Sequence, residues 1–85
     1  MPDLPIGPLP LAALQTIEAM KFGWELVHSV RGTDTSTWLQ RGDATQEVPD
    51  LTFQALKSRR LIRPKRGAPQ FPTVTYVLTL KGASL

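Results

Sequence analysis

The chain has 85 residues, a formal net charge of +3 and an apolar content of 41%, with two Trp, three Phe, one Tyr and no Cys. That length supports one domain with a single core, and that composition excludes wholesale disorder. Disulfides and thiolate zinc sites are excluded, no apolar run approaches the roughly 20 residues of a membrane helix, and the first residues lack a signal peptide's basic and apolar regions, so a cytoplasmic location is expected.

Pro2, Pro5, Pro8 and Pro10 make residues 1–9 an extended, proline-rich leader, with the domain over 10–85. Pro10 suits the first turn of a helix that Gly23 stops. Leu11, Leu14, Ile17 and Met20 fall on one side of it, with Gln15, Glu18 and Lys21 toward the other. From Trp24 to Arg31 the period changes to two, with Trp24, Leu26, His28 and Val30 on one face and Glu25, Val27, Ser29 and Arg31 on the other. A turn at 32–35, a strand over 37–41 and a second turn at Gly42-Asp43 complete a β-hairpin, in which Trp24 and Trp38 are expected to pack on one face. Arg41-Gly42-Asp43 reads as turn chemistry.

Thr45 to Val48 reads as a short turn before a second helix at 49–60, started by Pro49 and Asp50. Phe53 and Leu56 bury together there with Ala55 at their flank, which leaves Thr52, Gln54, Lys57, Ser58 and Arg59 facing water. Leu61 and Ile62 return to the core as a short strand. Three prolines and a glycine within 64–72 exclude regular structure. A strand follows from Thr73 to Leu80, with Val74, Tyr76, Leu78 and Leu80 on one face and Gly82 closing it. The order is helix, hairpin, helix, hairpin: an α+β domain of two helices with two β-hairpins.

Charge divides sharply along this order. Residues 51–85 hold seven bases and no acid, six of the bases between Lys57 and Arg66, whereas residues 1–50 hold all seven acids against three bases. One sign concentrated on one stretch sets up a directed field that suits a polyanion, nucleic acid above all.

The run Phe53-Gln-Ala-Leu-Lys-Ser-Arg-Arg-Leu-Ile-Arg, the Lys/Arg/Gly/Pro loop after it and Tyr76-Val-Leu-Thr-Leu-Lys-Gly resemble the second half of a bacterial winged-helix domain, over about Val48 to Gly82. The first half departs from that pattern, because Trp24 to Arg41 reads as a strand pair where a further helix would stand. The resemblance implies a small bacterial or phage transcriptional regulator that binds duplex DNA, with the second hairpin as the wing. The helix at 49–60 would present Thr52, Gln54, Lys57 and Ser58 to the major groove. In the basic wing at 63–72, Lys65 and Arg66 would reach a phosphate or the minor groove, while Arg59, Arg60 and Arg63 add backbone contacts. One such module buries limited surface, so a homodimer is expected. The rival is a protein-interaction module on the same scaffold (an inhibitor, adaptor or toxin) working through the acidic half and the tryptophan hairpin. Structured RNA bound by the cationic face is a third reading.

Nothing in the chain points to catalysis, a metal or a cofactor. His28 is the only histidine, it lies in an apolar strand, and no second His or Cys completes a metal set. Asp43, Glu47 and Asp50 stand beside a turn and a helix start, where acids cap backbone amides. No nucleophile elbow or phosphate-cradling glycine loop occurs.

Overall fold

The computed structural model describes residues 9–85. Helix α1 spans Leu11–Lys21, and the Pro10 carbonyl accepts the amides of Ala13 and Leu14 at 3.0 and 3.1 Å. Its buried stripe is Ala13, Thr16, Ile17 and Met20, an i, i+3, i+4, i+7 set. Leu11 is 69% exposed and Leu14 is also on the solvent side, so the expected stripe through both is corrected. The helix approaches its neighbours through small residues: Ala13 is fully covered, and Thr16 satisfies its hydroxyl by donating to the Ala12 carbonyl at 2.8 Å. Leu9 packs against the same core, and the rest of the proline-rich leader lies outside the described residues.

Strands β1 (Glu25–Arg31) and β2 (Asp34–Arg41) pair antiparallel along the whole of β1. The turn between them is only Gly32-Thr33, tighter than expected, because Gly32 takes a left-handed conformation (φ +61°) that a two-residue hairpin turn requires. Gly42 (φ +60°) repeats the device, and the chain folds back as β3 (Ala44–Glu47) on β2. The expected short turn at Thr45–Val48 is therefore mostly strand. Pairing with β2 imposes that conformation; all four β3 side chains are exposed, so no apolar alternation marks it.

Helix α2 spans Asp50–Ser58 and leads through a turn to β4 (Ile62–Pro64), which pairs with β5 (Thr73–Leu78). β5 also pairs with β1, so the two hairpins merge into one antiparallel sheet of order β3-β2-β1-β5-β4. Thr79 then caps a one-turn helix, α3 (Leu80–Ala83), its hydroxyl accepting from the Gly82 amide at 3.1 Å. The last strand thus ends before Leu80, which is 90% exposed, and Gly82 lies in α3. Over the described residues the architecture is a small α+β domain with three helices and one five-stranded sheet, two hairpins and two helices having been expected.

One face of the sheet carries Leu26, Leu39 and Tyr76 into a core shared with Ile17, Met20, Phe53, Leu56 and Leu61. Trp24 packs against that core, whereas Trp38 stands opposite Val27 on the other face. The two tryptophans therefore do not pack together: the register Val27↔Trp38 puts Trp38 out of phase with Leu26 and Leu39.

Candidate nucleic-acid interface

Helix α2 lies on the core face of the sheet and buries Thr52, Phe53 and Leu56. Thr52 is 6% exposed, so it cannot read a base, and its expected place on the recognition surface is corrected. A nine-residue helix has little room for a buried stripe, and here the stripe widens from Phe53 to its neighbour. Gln54, Lys57 and Ser58 are exposed. The Gln54 amide donates to Asp50 Oδ2 at 2.7 Å, the Lys57 ammonium sits 5.8 Å from the Phe53 ring centroid, and the Ser58 hydroxyl donates to the Ala55 carbonyl.

The helix ends in a turn that closes two bonds, Arg60 N–H to Lys57 carbonyl and Leu61 N–H to Leu56 carbonyl, both 3.0 Å. Arg60 takes the left-handed position of this turn (φ +58°), where α1 in the equivalent turn uses Gly23. Arg59 is half-exposed and Arg60 exposed. Arg63 is exposed on β4, its guanidinium donating to the Pro64 carbonyl at 3.3 Å. Arg63 and Pro64 also protect this edge of the sheet from pairing with another chain. Arg66 is exposed on the loop that follows.

Lys65 departs from expectation. Its ammonium lies 2.7 Å from Glu25 Oε2, so the acidic half supplies a partner for one wing cation. Lys57, Arg60, Arg63 and Arg66 form no ion pair with a described acid. Along the chain the cations run from the last turn of α2, through the turn at 59–60 and β4, into the 65–72 loop, and the register Arg63↔Val77 sets Arg63 on the sheet face away from α2.

Sequence reasoning missed the surroundings of α2. His28, Thr35, Asp50, Phe53, Gln54, Lys57 and Ser58 line a solvent-open cleft of about 600 Å³ beside this helix. The His28 ring stacks on Phe53 with centroids 4.3 Å apart and planes 7° from parallel, and its Nδ1 lies 2.8 Å from Thr37 Oγ1. Nε2 makes no hydrogen bond to a described residue. The period-two pattern grouped His28 with Trp24, Leu26 and Val30, but nothing local announced that Thr35 and Asp50 would line one cleft with it. The cleft mixes carboxylate, carboxamide, hydroxyl, imidazole and ammonium groups, suited to hydrogen bonding and charge recognition. Among the described residues no group of three or more His, Asp or Glu is placed to hold a metal ion, and no helix is long and apolar enough to cross a membrane.

Comparison with known protein families, curated proteins and solved structures gives no match to this chain.

Proposed function

We propose that this protein binds nucleic acid, gripping the phosphate backbone of duplex DNA through the cations between Lys57 and Arg66. The observation that carries the reading is a cluster of exposed cations: Lys57, Arg60, Arg63 and Arg66 lie close together along the chain, in a half with no acid, with Arg63 beside Val77 on the sheet face away from α2. Phosphate contacts of this kind supply affinity and position the protein without selecting a sequence. Arg60 adds support, because an arginine occupies a backbone position that favours glycine, a strain of about 1 kcal/mol. A transcriptional regulator acting as a homodimer is the role that the winged-helix resemblance implies. The grip on DNA differs from the one that resemblance suggests, since Thr52 is buried and Lys65 is held by Glu25.

The test is fluorescence anisotropy of a labelled random duplex at several salt concentrations. Four to five phosphate contacts give a log–log salt slope of about −4, and a flat response sinks the proposal. Arg60→Gly supplies an independent check. It should raise unfolding free energy by about 0.5–1 kcal/mol by relieving the left-handed turn, while weakening DNA binding and making the slope shallower by about 0.9.

One observation favours a second reading, a protein-interaction module. The sheet face opposite the helices carries the partly exposed Trp38 beside the buried Val27, with the partly exposed Thr75 and Val77 nearby on β5. If that face is the working surface, Trp38→Ala abolishes partner capture, and Arg60→Gly leaves it intact.

A further inference from the structure

Resting on the nucleic-acid reading, we infer that the ligand offers an unpaired nucleotide, whose base enters the cleft beside α2 while its neighbour stacks on Phe71. The shape of the surface comes first. Gln54, Lys57 and Ser58 are the side chains a recognition helix would push into a duplex groove, but here they line a cleft together with Thr35 and His28. A major groove receives a protruding helix. A solvent-open cleft of about 600 Å³ instead offers a base splayed out of its stack a wall to lie against.

The lining has matching chemistry. Asp50 Oδ2 accepts from the Gln54 amide, which leaves Asp50 Oδ1 and Gln54 Oε1 as acceptors for the amino and ring N–H groups of a base edge. Thr35 and His28 belong to the same lining, and Lys57 in it supplies charge for the attached phosphate.

The register supplies the third link. Val30 pairs with Thr35 on one side, and its amide donates to the Pro72 carbonyl at 3.0 Å on the other. The 65–72 loop therefore returns at the same end of the sheet as Thr35. That loop carries Arg66 and Phe71, and the Phe71 ring is 77% exposed although no core contact requires it there. An exposed aromatic on the same loop as a cation is the arrangement on which single-stranded nucleic acids stack.

The experiment titrates the wild-type chain, Asp50→Asn, Phe71→Ala and Arg66→Glu against labelled single strands of about 12 nucleotides, as DNA and as RNA, and against the blunt duplex of the same sequence. At least one single strand should bind about tenfold or more tighter than the duplex, and the better of the two identifies the sugar. Phe71→Ala and Asp50→Asn should each weaken that strand by about fivefold or more and leave duplex binding unchanged, whereas Arg66→Glu weakens both. Equal affinity for single strand and duplex, indifferent to Asp50→Asn and Phe71→Ala, overturns the base cleft and leaves the backbone grip standing. Absence of binding to every probe at low salt overturns both. Asp50 and Phe71 are exposed, and Gln54→Ala replaces either variant that loses its cooperative melt.

Discussion

Gly82→Ala should lower the melting temperature by about 10–20 °C. A methyl group built on Gly82 would lie 2.2 Å from the Leu61 carbonyl oxygen and 3.1 Å from its carbon, both backbone atoms that cannot rotate away. That carbonyl already accepts the Thr79 amide at 3.0 Å, the Thr79 hydroxyl donates to the Arg60 carbonyl at 2.8 Å, and the Gly82 amide donates to that same hydroxyl. The clash therefore falls on a small network that fastens α3 to the turn after α2. Overpacking of this kind costs about 1–3 kcal/mol where side chains can yield, and the upper end applies where backbone must move. In a domain of this size each kcal/mol is worth roughly 4–8 °C. A thermal melt followed by circular dichroism checks it, and an unchanged midpoint would show that α3 does not dock closely on Leu61. The substitution also bears on the proposed interface, because the carbonyl bonded to Thr79 belongs to Arg60.

The contrast between Gly82 and β3 shows what the chain made legible. β1 announced itself by a change to period two, which grouped Leu26 and His28 on one face from spacing alone, although Val27 and Ser29 on the other face are buried as well. β3 left no such trace: Ala44, Thr45, Gln46 and Glu47 are exposed on both faces and are strand only because β2 lies beside them. Thr79-Leu80-Lys81-Gly82 continued a period-two pattern and yet leaves the sheet, because a threonine hydroxyl can cap a helix as readily as it can sit in a strand. Along α1 both Leu11-Leu14-Ile17 and Ala13-Thr16-Ile17-Met20 follow helical spacing. Close approach selected the second, which hydrophobicity alone does not rank first.

The candidate interface divides in the same way. Its cations were readable as a cluster because charge is a composition property, and their exposure on the α2 turn, β4 and the following loop follows from that order of elements. The Lys65–Glu25 ion pair joins residues forty positions apart and depends on β1 and β5 being neighbours, a pairing no local pattern encodes. The cleft is likewise tertiary: Asp50, Gln54 and Lys57 share one side of α2, but His28 and Thr35 meet them only because the helix crosses this sheet.

Phe53 joins the two halves of that arrangement, and Phe53→Ala should destabilise the fold by about 3–5 kcal/mol. That is a large share of the roughly 5–15 kcal/mol available to a small domain. The ring is 4% exposed, stacks face to face on His28, and meets Tyr76 edge-on with centroids 5.2 Å apart and planes at 71°. It separates the cleft from the core, so its removal leaves a cavity that α2 cannot close without shifting. Phe53→Leu separates the causes, since it keeps an apolar side chain and loses only part of the volume and the ring geometry. Its expected cost is about 1–2 kcal/mol. Urea denaturation of both variants, with His28→Ala and the double variant, completes a cycle in which stacking appears as a coupling of about 0.5–1.5 kcal/mol. A Phe53→Ala protein within 1 kcal/mol of wild type would contradict the packing described here. Phe53→Leu also bears on function: the exposed cations from Arg60 to Arg66 do not touch this ring, so duplex binding should persist while recognition of an unpaired base, which rests on the cleft floor, declines.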